Sequence, residues 1–132
     1  YYSSSRSDSM YRLTPREVEL MTVLWERGPS TVAEVRDALD DGSAYTTILT
    51  LLRMLEEKGH VAREAEGRAH RYGALIDRDE ASSSAIDRVL GQFFSGSPEE
   101  LLTQMVSDRD LDNATLRRLR RLLDKRLEER SR

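Results

Sequence analysis

A chain of 132 residues, 38% hydrophobic and 34% charged, suits one compact unit or a small domain with an association segment, and its net charge of −3 leaves no domain basic as a whole. The lack of cysteine excludes disulfides and thiolate metal sites and fits a reducing cytoplasm, and two histidines, His60 and His70, are too few for a metal cluster. No apolar run is long enough to cross a membrane and no charged-then-apolar leader marks secretion, so a cytoplasmic protein without direct membrane association is expected.

Residues 1–9, YYSSSRSDS, are polar and without period; they read as a disordered tail or as residue from an expression vector, with Met10 a candidate natural start. Thr14-Pro15-Arg16-Glu17 is a capping box with proline at the first helical position. It predicts a helix to about Arg27, with Val18, Met21, Leu24 and Trp25 on one face and Gly28-Pro29 as its stop. Trp25 is expected to anchor the core. A second box, Thr31 to Glu34, opens a short helix to Leu39 with Val32, Val35, Ala38 and Leu39 inward, and residues 40–43 make a tight connection.

The stretch that follows, AYTTILTLLRMLEEKG (44–59), is organised like a presented helix. At 100° per residue Ile48, Leu51, Leu52 and Leu55 share one apolar stripe, while Thr46, Thr50, Arg53 and Glu57 lie opposite, with Thr47 at the shoulder. Short hydroxyl side chains and an arginine suit close approach to a DNA major groove. Taken alone, the same face also reads as an ordinary solvated stripe. The order helix, short helix, turn, helix is that of a helix-turn-helix, whose second helix reads DNA.

Gly59 ends this helix, and His60 to Glu64 and Ala69 to Leu75 predict two short strands around Glu66-Gly67-Arg68. Val61 and Tyr72 are expected inward. Arg63, Arg68, His70 and Arg71 make the tip and edge basic, as in a wing beside the reading helix. Two strands alone are marginal, so they must lean on the helices. His60 is expected to pack or solvate behind the glycine.

From residue 77 the pattern is helical only. Asp77 to Glu80 is a third capping box, before Ile86, Val89, Leu90, Phe93 and Phe94 at helical spacing, and Gly96 breaks that helix. Ser97 to Glu100 is a fourth box, before Leu101, Leu102, Met105 and Val106. Asp112 is expected to cap a last helix carrying Leu116, Leu119, Leu122, Leu123 and Leu127. Three such helices without a sheet have little to bury against in one chain, and a second copy is the economical cover. The arginines Arg117, Arg118, Arg120 and Arg121 are read as a solvated face with local ion pairs. No Ser/His/Asp order, glycine-rich phosphate loop or metal-ligand spacing occurs, so no catalytic residue, metal or cofactor is assigned.

The runs LTPREVELMTVLWERGPSTVAEVRDAL, AYTTILTLLRMLEEKGHV and EGRAHRY, with SDRDLDNATLRRLRRLLD further on, resemble the BlaI/MecI family of bacterial penicillinase repressors over roughly residues 13–129. The resemblance implies a winged-helix repressor that dimerises through its C-terminal helices and binds a palindromic operator, commonly with TACA/TGTA-type half-sites. Carried over by position, Thr46, Thr47, Thr50 and Arg53 match the reading helix, Thr31 the phosphate-contacting start of the second helix, and Arg68 the wing tip. Tyr45, His70 and Arg71 complete the candidate DNA-binding set. Ile86, Val89, Leu90, Phe93, Phe94, Leu101, Leu102, Met105, Leu116, Leu119 and Leu123 form the candidate dimerisation set.

In antibiotic-responsive members a membrane-bound sensor protease triggers cleavage of the repressor. The scissile Asn-Phe pair falls here on Gln104-Met105, the candidate cleavage position, and Ala44-Tyr45 replaces the usual Ser-Pro opening of the reading helix. The expected fold is therefore mainly α with a small β-hairpin: a winged helix-turn-helix over residues 10–76 and a helical dimerisation region over 77–132. The function implied is a dimeric, sequence-specific transcriptional repressor using helix 44–58 and wing 61–75. The alternative is a winged-helix protein-interaction module without specific DNA binding.

Overall fold

The computed structural model describes residues 12–131, so the expectations for residues 1–9 and Met10 lie outside the described residues. In chain order the elements are α1 (Pro15–Arg27), β1 (Ser30–Thr31), α2 (Val32–Leu39), α3 (Tyr45–Glu57), β2 (Val61–Glu66), β3 (Ala69–Ala74), α4 (Arg78–Phe93), α5 (Pro98–Asp108) and α6 (Asn113–Arg130). The chain divides into two compact units, one running to Val89 and one from Leu90.

Local chemistry sets the helix starts. Thr14 and Thr31 each accept the N–H of the residue three on, and Glu17 and Glu34 return the bond to the capping residue's own N–H. Asp77 accepts from the N–H of Glu80 at 2.7 Å and Asp112 from that of Thr115 at 2.8 Å. At Ser97 only half of the expected box forms: its hydroxyl accepts from the Glu100 N–H, and no return bond from the Glu100 side chain accompanies it among the described residues.

In the N-terminal unit, Leu20, Met21 and Leu24 of α1, Val32 and Val35 of α2, and Ile48, Leu52 and Leu55 of α3 close on Val61 and Tyr72 of the hairpin. Full burial of one such aliphatic side chain is worth about 1.5–3 kcal/mol, so the three α3 residues alone fix that helix's inward face. Trp25 packs half-buried against this core and donates its indole N–H to the Ile76 carbonyl at 2.9 Å. Two inward assignments are corrected. Val18 is exposed because Leu20 and Val23 turn the buried face of α1 one position away from it, and Ala38 is exposed at the last turn of α2.

The sheet has three strands in the order β1-β3-β2, all antiparallel. The hairpin runs two residues further toward its tip on the first strand than expected, with Glu66 opposite Ala69. Its loop is therefore Gly67-Arg68, and Gly67 takes a φ of 60°, as the first position of a II′ turn requires. The third strand, β1, was not anticipated from the sequence. Ser30 pairs with Tyr72 and Thr31 with Arg71, so the wing is joined by backbone hydrogen bonds to the start of α2.

α4 contributes Ala81 to the N-terminal core. In the C-terminal unit, α5 and α6 bury no residue: Leu102, Met105 and Val106, and Leu116, Leu119, Leu122, Leu123 and Leu127, are all exposed. Among the described residues no helix is long and apolar enough to cross a membrane.

Candidate nucleic-acid interface

Helix α3 is presented as its period suggests. Ile48, Leu52 and Leu55 are fully buried and Leu51 is half-buried, while Tyr45, Thr46, Thr47, Thr50 and Arg53 are exposed. The Thr50 hydroxyl donates to the Thr46 carbonyl at 2.9 Å. Its proton is thus committed to the helix, and the surface receives the oxygen's lone pairs and a methyl group. Ala44, standing at the N-cap, offers no side-chain acceptor to the first turn.

Both ends of α3 are tied down by polar contacts that periodicity alone does not reveal. At the far end Glu17, 1% exposed, receives Lys58 Nζ on both carboxylate oxygens at 2.9 Å. Burial raises the Glu17 pKa, but the Thr14 N–H and the Lys58 ammonium outweigh it and hold the carboxyl below its ordinary value. At the near end Asp41 accepts from the Ser43 hydroxyl and N–H and from Arg16 at 2.7 Å, and Arg16 also contacts the Ser43 hydroxyl. These bonds, led by the Ser43 hydroxyl, lower the Asp41 pKa to about 2. The connection into α3 is therefore a braced turn.

The wing is anchored in a similar way. Arg71 reaches Glu34 at 2.8 Å, Glu66 at 2.8 Å and the Pro29 carbonyl at 3.0 Å, so its guanidinium clamps β3 to β2 and to the start of α2. The Glu66 hydrogen bond raises its pKa. Arg63 pairs with Glu56 of α3 at 3.3 Å. Arg68 at the tip and His70 on the edge are exposed, and His60 is fully buried behind Gly59. Thr31 is half-buried; capping uses a lone pair of its hydroxyl, and the hydroxyl proton stays available to an outside acceptor.

Charge pairing sorts the basic residues of this unit. Arg16, Arg36, Lys58, Arg63, Arg71 and Arg78 each form an ion pair within 4 Å. Among the described residues Arg12, Arg27, Arg53, Arg68 and Arg88 form none, and of these Arg53 stands on the outward face of α3 and Arg68 at the wing tip. The candidate dimerisation residues lie apart from this surface in sequence. Ile86, Val89 and Phe93 of α4 are exposed with the apolar residues of α5 and α6, and Leu90, Phe94 and Leu101 are half-buried. Gln104 and Met105 are exposed in the middle of α5.

A three-helix body with a presented third helix and a three-stranded wing defines the winged helix-turn-helix class. The same fold is found in the transcriptional regulator Tm0710 from Thermotoga maritima, which is 21% identical and superimposes with a TM-score of 0.52 over 90% of this chain and 80% of that one. The profile of the family described as penicillinase repressor matches residues 13–125. The transcriptional regulator BlaI of Mycobacterium tuberculosis is 38% identical over 107 residues, 78% of each chain. The methicillin resistance regulatory protein MecI of Staphylococcus aureus is 20% identical over 118 residues, 88% of this chain and 96% of MecI. The chain belongs to the penicillinase repressor family, and it is a DNA-binding transcriptional repressor of the BlaI/MecI type, not an enzyme.

Proposed function

We propose that the chain acts in the cytoplasm as a homodimer that seats one α3 in each of two successive major grooves of a palindromic operator. Thr46, Thr47, Thr50 and Arg53 choose the sequence, with Tyr45 at the helix opening. Arg53 is the candidate for a two-pronged contact to guanine, and Thr50, with its proton committed to the Thr46 carbonyl, accepts a hydrogen bond or meets a thymine methyl. Arg68 and His70 at the wing and the Thr31 hydroxyl hold the phosphate backbone, and Arg71 serves by clamping the wing in place.

The observation that carries this reading is the distribution of unpaired cations. A net charge of −3 speaks against unspecific attraction to DNA, but of the basic residues that form no ion pair among the described residues, Arg53 lies on the exposed face of α3 and Arg68 at the wing tip, where both are open to an outside anion. The dimer is supported by the exposed leucines of α6 and by α5 and α6 having no buried residue. Two-fold symmetry places half-sites about 34 Å apart, one helical turn. In this reading, cleavage at Gln104-Met105, set in motion by a membrane-bound sensor protease, severs α6 from the winged unit and dissolves the dimer. Because that bond lies mid-helix, α5 must unwind locally before it is cut.

Selection of bound duplexes from a random library tests the proposal. Enrichment of a palindrome with half-sites one helical turn apart is the expected result. No enrichment, together with no binding to any duplex at low salt, would favour the protein-interaction module instead.

A further inference from the structure

Beside the core of the N-terminal unit, away from α3 and the wing, lies a cavity of about 410 Å³ between α1 and the first turns of α4. Its walls are mostly apolar, with Leu13, Val18, Trp25, Ala81 and Ala85 among them. Two arginines meet this wall. Arg78 lies 5.6 Å from the Trp25 ring centre and is partly answered by Glu26 at 3.8 Å. Arg88 has its Nη1 shut away from solvent with no hydrogen-bond partner among the described residues. A guanidinium nitrogen taken out of water and left unpaired is costly, and turning the Arg88 side chain into the cavity to meet a ligand would relieve that cost.

The volume falls within the range of small-molecule sites, and the lining has their composition: apolar walls and a few polar groups. A planar guanidinium matches a carboxylate, whose two oxygens accept parallel N–H bonds. Val18, Trp25 and Ala85 suit a ring or a short branched hydrocarbon. We propose that this cavity binds a small apolar monocarboxylate, its carboxylate on Arg88 and its hydrocarbon body against Trp25. The inference stands on the cavity alone and is independent of how the protein reads DNA.

Trp25 is the only tryptophan, so its emission reports on the site directly. The full-length protein, excited at 295 nm, is titrated with cyclohexanecarboxylate and, separately, with the neutral amide of the same acid. The acid is expected to bind at least tenfold more tightly than the amide. Arg88→Gln should reduce this ratio to near one, and Arg88→Lys should keep part of it. Ala85→Met, which fills the cavity without touching the charge, should weaken acid and amide alike. Circular dichroism of each variant separates these effects from unfolding. Equal affinity for acid and amide, an unchanged ratio in Arg88→Gln, or no response to either compound at millimolar concentration would overturn the proposal. A response that disappears as protein concentration rises would assign the cavity to a second copy and overturn it too.

Discussion

Arg53 and His60 belong to the same stretch of chain and do opposite things with charge. Arg53 is exposed and unpaired among the described residues, and its truncation should remove about 1–3 kcal/mol of discrimination at one base pair while leaving unspecific affinity nearly unchanged. Competition binding on duplexes that differ at a single position measures this. His60 is fully buried, and burial, followed by the nearby Lys58 charge, lowers its pKa against the opposing pull of Glu17. The folded protein thus keeps His60 neutral at a pH where the unfolded chain, titrating near 6.5, takes up a proton. Stability should be full above pH ~6.5 and decline as pH falls below it. Urea midpoints at pH 7.5, 6.5 and 5.5 should fall in the wild type and change less in His60→Leu. Glu17, lowered from 4.5, loses its contribution only at more acid pH and does not obscure that window. Presentation of Arg53 was legible in the 3.6-residue period. The burial of His60 was only half legible, because the sequence left open whether the residue after Gly59 packs or is solvated.

Helix α3 depends on bonds made outside it. Lys58 just past the end of α3 joins the buried carboxylate of Glu17 in α1, and Arg16, Asp41 and Ser43 brace the turn that enters α3. Lys58→Met leaves Glu17 buried with only its capping bonds, and a loss of about 1–3 kcal/mol is expected in chemical denaturation. Lys58 itself is 36% exposed, so the loss should fall short of that for a fully buried pair. Arg71→Ala should loosen the wing instead, seen as faster amide exchange at Ala69 to Tyr72 with the helices unaffected. The sequence revealed capping boxes, helix faces and the hairpin, because these are local and periodic. It could not reveal β1, a two-residue strand at Ser30–Thr31 whose only signal is a partner forty residues away. It equally could not show that Arg71, read as part of a basic edge, spends its donors on Glu34, Glu66 and Pro29.

The whole molecule pairs a unit with a well-formed core and a C-terminal unit whose helices hold their leucines at the surface. Leu122, Leu123 and Leu127 are each more than half exposed, too much apolar surface for an isolated chain to leave uncovered at no cost. Sedimentation should therefore report a dimer, and Leu123→Arg should shift it toward monomer without altering the circular dichroism of the winged unit. On a palindrome that variant should lose most of its affinity, and on a single half-site almost none. Salt should weaken operator binding along a straight log–log line whose slope counts the phosphates neutralised, about 0.9 per phosphate, and Arg68→Ala, which removes one contact from each half-site, should reduce that slope by about two.

In the proposed function the outward face of α3 selects the sequence, and Arg53 is its strongest reader. The ratio of specific to unspecific affinity decides this, measured for the wild type and Arg53→Ala on the selected palindrome and on a scrambled duplex at one salt concentration. Because a dimer on a palindrome presents Arg53 once to each half-site, that ratio is expected to fall by tenfold or more, while affinity for the scrambled duplex stays within about threefold. An unchanged ratio, or an equal loss on both duplexes, would rule out Arg53 as a reader of the sequence.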